Sequence, residues 1–169
     1  KQFKARIIRA ERINTHGGSL RIYVKSSKKT KVERSVKLIL EEEEKFGIKN
    51  YKSYQEFAKK VYKIRENVRK NILKLKKNNA KIIGYGSPAK ATTALNFFGI
   101  SDEIECIVED NKLKHGKFLP GMNIPITSKE KIKKKPDYAV VLAWNFFEEI
   151  KKKNSSLAHK FISIKDLEA

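Results

Sequence analysis

One strand-to-helix turn carries the residues best suited to chemistry. The segment Ile83-Gly-Tyr-Gly-Ser-Pro-Ala-Lys90 starts in apolar residues, passes through two glycines and enters a helix at Pro88. Glycines let a ligand approach the backbone closely, and a helix start offers unpaired N–H groups and a positive dipole end, which suit phosphate. Lys90 would add a full charge. Because Ala89 replaces the third glycine of the dinucleotide fingerprint, a structural turn without a ligand remains the alternative.

Two more polar groups follow predicted strands. Glu109 and Asp110 come after the strand Ile104–Val108, where a Rossmann-like sheet often places an acid for ribose hydroxyls. Trp144 and Asn145 directly follow the next long apolar strand. Ligands of open parallel sheets bind beyond the carboxyl ends of the strands, so these residues and the glycine turn are predicted to converge at one edge. A carboxylate that only caps a helix or turn is the alternative for Glu109.

The histidines and the single cysteine argue against other kinds of site. His16, His115 and His159 lack metal-ligand spacing and have no accompanying carboxylate or cysteine cluster, so no metal site is expected. Cys106 alone excludes a disulfide framework and a cysteine zinc site within this sequence. It lies in an apolar run and is interpreted as a core residue, with a reactive thiol as the alternative. No serine stands in a nucleophile elbow.

The elements that position these residues change character near residue 80. Before it, a β-pair and two helices are predicted, and the second helix carries an apolar stripe at helical spacing, with Ser53 and Glu56 as a capping box. The stripe packs on its own domain or, alternatively, docks on another domain or a second subunit, so an oligomer remains possible. After residue 80, strands alternate with helices, which predicts a parallel sheet covered on both faces.

These patterns predict an α/β fold: a Rossmann-like parallel sheet with flanking helices, preceded by a β-pair and a long helix. Two domains are expected, residues 1–80 and 81–169. The predicted strands cover 3–13, 20–24, 81–84, 104–108, 137–143 and 160–164, the predicted helices cover 32–46, 53–78, 88–98 and 145–153, and 26–31 is a loop.

Charge is the strongest compositional feature. The formal net charge is +20, and residues 1–80 hold 24 of the 39 basic residues but only 8 of the 19 acidic ones. Such a balance fits nucleic acid, an anionic membrane surface or a phosphorylated ligand. Aromatic residues are not interleaved with the lysine runs, so solvated faces are preferred to a nucleic-acid partner. No apolar run approaches the roughly 20 residues of a membrane span, and a cytoplasmic location is expected.

Several segments together resemble the C-terminal domain of bacterial S-adenosylmethionine-dependent sugar C-methyltransferases, which methylate a carbon of a nucleotide-linked keto-sugar. Their order and spacing fit that family over about residues 13–150. The matching segments are His16–Tyr23, Gly84–Ala91, Leu95–Ile100, Lys114–Ile126, Pro136–Tyr138 and Ala143–Asn145.

The resemblance implies that this domain binds the nucleotide-sugar, while S-adenosylmethionine and zinc are held by an N-terminal methyltransferase part. It also implies that the catalytic acid–base residues lie upstream, so that this chain alone is inactive. Methyl transfer in the family proceeds through an enolate of the keto-sugar. The substrate-binding residues that the resemblance and the sheet edge imply are His16, Gly84, Tyr85, Gly86, Ser87, Lys90, Asn96, Glu109, Lys114, Gly121, Trp144 and Asn145.

The chain departs from the family pattern at Glu109, usually Asp, at His115, usually Gln, and in the ending Ile162–Leu167, which lacks an expected proline. These departures leave the sugar open. Two other interpretations stay open: a stand-alone nucleotide-binding or redox-sensing Rossmann domain, and a basic nucleic-acid-binding module.

Overall fold

A computed structural model describes residues 4–26, 30–77 and 79–169. Phe3, residues 27–29 and Asn78, which the sequence assigns to a strand, a loop and a helix end, lie outside the described residues. The chain divides into two compact units, Lys1–Lys59 and Lys60–Ala169. This division falls inside the long helix, whereas the change in sequence character lies at residue 80.

The first unit contains the predicted β-pair. Strands β1 (Arg6–Ile13) and β2 (Ser19–Lys25) are antiparallel, and helix α1 (Arg34–Phe46) follows. The pairing places Ile7 opposite Val24, and Arg12 opposite Leu20. Because side chains alternate along a strand, Leu20, Ile22 and Val24 share one face with Ile7. The start of α1 lies along β1, where the Ser35 hydroxyl accepts a hydrogen bond from the Ala10 N–H at 3.2 Å.

Helix α2 (Tyr51–Lys76) begins two residues before the predicted cap. The side-chain oxygen of Asn50 accepts a hydrogen bond from the Lys52 N–H at 3.0 Å, so Asn50 caps the helix. The predicted capping box of Ser53 and Glu56 is therefore wrong, because Ser53 already lies inside the helix. Basic residues interrupt the apolar residues of α2, and no helix in the described part of the chain is both long and apolar enough to cross a membrane.

The apolar stripe on α2 has two different environments. Val68 and Ile72 are fully buried in the core of the second unit, with Ile64 and Leu75 packed beside them. Tyr54 and Phe57, earlier on the same stripe, are exposed. The second half of the stripe therefore packs within the compact unit that begins at Lys60, although the sequence had placed this helix in the other predicted domain, residues 1–80.

The second unit contains a five-stranded parallel sheet in the order β5-β4-β3-β6-β7, which confirms the predicted fold class. The sequence missed β5, because this strand has only two residues within a loop containing glycine and proline. The elements are β3 (Ile82–Tyr85), α3 (Ala89–Phe98), β4 (Ile107–Val108), β5 (Ile126–Thr127), β6 (Tyr138–Val141), α4 (Phe147–Lys153) and β7 (Lys160–Ser163).

Apolar residues cover both faces of this sheet. One cluster packs the second half of α2 and helix α3 against Ile82, Val140 and Ile162. A second cluster packs α4 against Ile83 and its neighbours on the opposite face. Burial on both faces explains why the strands are apolar almost throughout rather than alternating. Cys106 packs beside the second cluster, and burial raises the pKa of its thiol.

Candidate functional site

The topology creates a crevice between β3 and β6. From β3 the chain moves to β4 and β5 on one side, and β6 and β7 lie on the other. Neighbouring loops therefore diverge at the carboxyl ends of β3 and β6, which is the switch point where open parallel sheets bind ligands. Residues 86–88 follow β3 there, and a short 3₁₀ turn, Trp144–Phe146, follows β6 after residues 142–143.

The two glycines of the turn are needed for different structural reasons. Gly86 has φ +84°, a conformation that favours glycine, and an added Cβ would lie 3.1 Å from the Cβ of Ala143. Gly84 lies in β3, where an added Cβ would meet Ile107 and Leu142 at 3.1 Å. Gly84 therefore serves close packing inside the sheet, whereas Gly86 lets the chain turn beside the loop after β6.

Glu109 is the centre of a closed hydrogen-bond network at the end of β4. Its Oε2 atom accepts from the Ser87 N–H at 2.9 Å and from the Ser87 hydroxyl at 2.5 Å, and the Lys114 ammonium lies 3.3 Å away. Its Oε1 atom accepts from the Asn111 N–H at 3.0 Å, while the Lys114 ammonium also donates to the Ser87 carbonyl at 2.9 Å. The negative charge of Glu109 and the positive charge of Lys114 therefore balance each other within this network.

The Glu109 carboxylate is strongly stabilised in its charged form. Burial opposes ionisation, but hydrogen bonds from Ser87 and Asn111 and the charge of Lys114 outweigh it, so the pKa of Glu109 falls to about 2. His115 completes this corner, since its Nε2 lies 2.7 Å from the Glu109 carbonyl oxygen. The network ties the glycine turn to the β4–β5 connection.

The Tyr85 side chain lies on the face of the sheet that packs against α4. It is buried, and its hydroxyl donates a hydrogen bond to the Asp110 Oδ1 at 2.9 Å. Burial, followed by the Asp110 carboxylate, raises the pKa of Tyr85. Asp110, the other candidate acid for ribose, is thus engaged with Tyr85.

Lys90 and Trp144 meet across the switch point. The Lys90 ammonium lies 4.0 Å from the centroid of the Trp144 ring, a cation–π contact. A second ammonium, that of Lys165, lies 5.9 Å from the same ring. Burial and then the charge of Lys165 lower the pKa of Lys90. Asn145 is exposed in the same short turn as Trp144.

Asn96 and Gly121 meet each other. The Asn96 side-chain amide donates to the Pro120 carbonyl at 3.0 Å and to the Thr92 carbonyl at 2.8 Å. Gly121 has φ +76°, and an added Cβ would lie 2.5 Å from the Asn96 Oδ1. These contacts give both residues a structural role in fixing the loop before β5. His16 lies in the first unit, exposed in the β1–β2 turn with φ +55°.

Lys165 is a residue of this edge that was not predicted from the sequence. It occupies the short turn that follows β7, so the rule that placed Trp144 after β6 would also have selected it. Of the predicted set, the structure joins Ser87, Glu109 and Lys114 in one network, and Lys90 and Trp144 in a separate contact.

Comparison with known proteins gives two results. The model of the family described as C-methyltransferase C-terminal domain matches residues 14–163. The C-methyltransferase NovU of Streptomyces niveus is 32% identical over 148 residues, which is 86% of this chain and 35% of the relative. The chain thus spans about a third of the length of that relative.

Proposed function

The chain belongs to the C-methyltransferase C-terminal domain family, and on that premise we propose that it binds the nucleotide-linked sugar substrate of an S-adenosylmethionine-dependent sugar C-methyltransferase. The observation that carries the proposal is the positive charge of Lys90 at the switch point, which forms no ion pair with any residue that the structure describes. Lys90 lies over Trp144 beside the Gly86 turn, and its ammonium is not part of the Glu109 network.

Electrostatics favours a nucleotide-sugar over the methyl donor at this edge. A nucleoside diphosphate is anionic, so the Lys90 ammonium attracts it, and the Trp144 ring offers a surface for a base or sugar. S-adenosylmethionine, which supplies the methyl group, carries a sulfonium cation that Lys90 repels. The residues here therefore do not fit the donor, and we assign the donor and the family's zinc to a part of the enzyme outside this chain.

Under this proposal, some of the other predicted residues hold the site in place and others contact the ligand. The Glu109 network fixes the glycine turn, and the Asn96 contact fixes the loop that carries Gly121. Asn145 is exposed in the loop after β6, from which it would donate its amide to the ligand. No residue of the chain is proposed as the catalytic acid or base.

We further propose that the β1–β2 hairpin packs against the preceding methyltransferase part of the same polypeptide. Ile7, Leu20, Ile22 and Val24 form one aliphatic face, and each is 42–54% exposed. Helix α1 packs along β1, yet these four side chains stay exposed, and an exposed aliphatic face favours a covering surface. The family's name and the 35% coverage of the relative support a preceding domain as that surface.

Hydrogen–deuterium exchange tests this packing. Amides of Ser19–Lys25 are expected to exchange at least tenfold more slowly in the full-length enzyme than in this chain alone. Ile22→Lys should abolish that difference, whereas Arg21→Ala, on the opposite face of β2, should preserve it. Equal exchange in the two wild-type proteins would contradict the packing.

Substrate binding is tested by calorimetry with a panel of nucleoside-diphosphate sugars. Binding that weakens about tenfold or more in Lys90→Ala but not in Lys152→Ala supports the proposal. Lys152 is exposed on α4, so its substitution removes the same charge elsewhere. Incubation of this chain with labelled S-adenosylmethionine and a nucleotide-linked keto-sugar should give no methyl transfer. Methyl transfer above background would refute the expected inactivity of this chain. Nucleotide-sugar affinity that is unchanged in Lys90→Ala would refute the proposed binding site.

A further inference from the structure

We propose that Lys165 and Lys90 together form a two-ammonium site beside the Trp144 ring, and that this site holds the diphosphate group of the ligand. The inference rests on the proposed function and adds a residue and a chemical group to it. Lys165 comes from the turn after β7, which is far along the sequence from the glycine turn.

The position of Lys165 is fixed by a well-anchored turn. Residues Ile164–Leu167 form a 3₁₀ turn, and Ile164 and Leu167 are buried in the main core cluster. A capping box holds its start: the Ser163 hydroxyl accepts from the Lys165 N–H, and the Asp166 carboxylate accepts from the Ser163 N–H. The Lys165 ammonium therefore projects from a fixed backbone.

The C-terminal residues after this turn are also held in place. The Asn71 side-chain amide donates to the Leu167 carbonyl at 3.1 Å and to the Ala169 carbonyl at 2.8 Å. The Asn67 amide donates to the Glu168 carbonyl at 3.0 Å. Helix α2 thus fixes the chain end against the second unit, which limits the backbone freedom that Lys165 would lose when a ligand binds.

In the residues that the structure describes, neither of the two ammonium groups forms an ion pair with a carboxylate. The acid next in sequence, Asp166, is directed to the Ser163 N–H, and Glu109 is occupied by Ser87 and Lys114. Two like charges at one ring repel each other; burial first, and then the charge of Lys165, lower the pKa of Lys90.

A diphosphate is the anion that matches this arrangement. Its two phosphoryl groups each offer charged oxygens to one ammonium, so that both lysines gain a charge-assisted hydrogen bond. The Trp144 ring then lies beside the diphosphate, where the base or the sugar can contact its face. The competing interpretation is that both lysines only stack on Trp144 and stabilise it.

Trp144 is the single tryptophan of the chain, so its fluorescence reports on the site directly. We would titrate inorganic pyrophosphate and a nucleoside-diphosphate sugar at constant ionic strength into the wild type, Lys165→Ala, Lys90→Ala, Lys165→Arg and the control Lys152→Ala. Pyrophosphate should change the fluorescence of the wild type. Lys165→Ala should weaken the binding of both ligands about tenfold or more. Lys165→Arg should restore most of the affinity, and Lys152→Ala should bind both ligands as the wild type does.

The outcomes separate this inference from the proposed function. If Lys90→Ala weakens the nucleotide-sugar but Lys165→Ala does not, the role of Lys165 is refuted and the proposed function stands. Nucleotide-sugar binding without pyrophosphate binding refutes the diphosphate assignment alone. If neither ligand binds the wild type, both proposals fail. A melting temperature of Lys165→Ala equal to that of the wild type excludes loss of folding as the cause.

Discussion

Individual charged residues at the sheet edge do two different kinds of work. Glu109 occupies the position where a Rossmann-like sheet often binds ribose, yet its two oxygens accept hydrogen bonds from Ser87 and Asn111 and pair with Lys114. Among the residues of known placement, Lys90 has no carboxylate partner and contacts the Trp144 ring. In the sequence, both are charged residues near the ends of predicted strands. Their contact partners in the structure distinguish a charge with a structural role from one that is available to a ligand.

The Glu109 network predicts an acid-dependent loss of stability. The carboxyl pKa is about 2 in the folded chain against its ordinary 4.5. A lowered folded pKa contributes stability above pH 4.5, which is lost as the pH falls toward 2, and the contribution is at most roughly 3 kcal/mol. Denaturant unfolding of Glu109→Gln should thus differ most from the wild type above pH 5 and converge at low pH. Glu105→Gln, at an exposed position before β4, removes a carboxylate outside this network and is the matched control.

Substitution of Gly86 is expected to reduce the stability of the chain, and Gly116 provides a matched comparison. Gly86→Ala forces a side chain into φ +84° and a 3.1 Å contact with the Ala143 Cβ, so we expect a destabilisation of about 2 kcal/mol or more. Gly116→Ala has a similar φ of +75° but open space around its Cβ, and should cost about 1 kcal/mol. Equal costs in chemical denaturation would show that contact with Ala143 does not matter.

At the scale of elements, the sequence predicted the parallel sheet well because its long strands are buried on both faces. Ile82–Tyr85 and Tyr138–Val141 are apolar for that reason. The two-residue strand β5 was beyond prediction, since pairing with β4 rather than its own composition defines it. The contact of Lys165 with Trp144 was missed because it depends on the strand order, which places β7 beside β6.

Helix α2 predicts a sharp contrast between two positions of one apolar stripe. Ile72 is fully buried against the sheet, so Ile72→Ala should cost about 2–5 kcal/mol in the free energy of unfolding. Phe57 belongs to the same stripe but is 61% exposed, and Phe57→Ala should change stability by less than about 0.5 kcal/mol. Thermal or denaturant unfolding measures both. Similar losses for the two variants would mean that the whole stripe is buried.

For the whole molecule, the +20 charge and the candidate site are separate features. Most of the excess lies in residues 1–80, which hold 24 basic and 8 acidic residues, whereas Lys90 and Lys165 lie in the less basic remainder. Diffuse charge attracts any polyanion, but it does not position one. The paired ammonium groups at Trp144 are few, fixed and directed at one ring.

This separation predicts two different responses to salt. Any binding of DNA or RNA should be sequence-blind, because it rests on phosphate neutralisation, and it should fall by several orders of magnitude between about 50 and 200 mM salt. Nucleotide-sugar binding reported by Trp144 fluorescence should weaken far less over that range, since it involves only two lysines and a ring contact. Fluorescence anisotropy with labelled DNA of several sequences measures how DNA affinity depends on salt concentration. The Trp144 titration measures the same dependence for the nucleotide-sugar. DNA binding that is sequence-selective and survives physiological salt would instead favour a nucleic-acid-binding module.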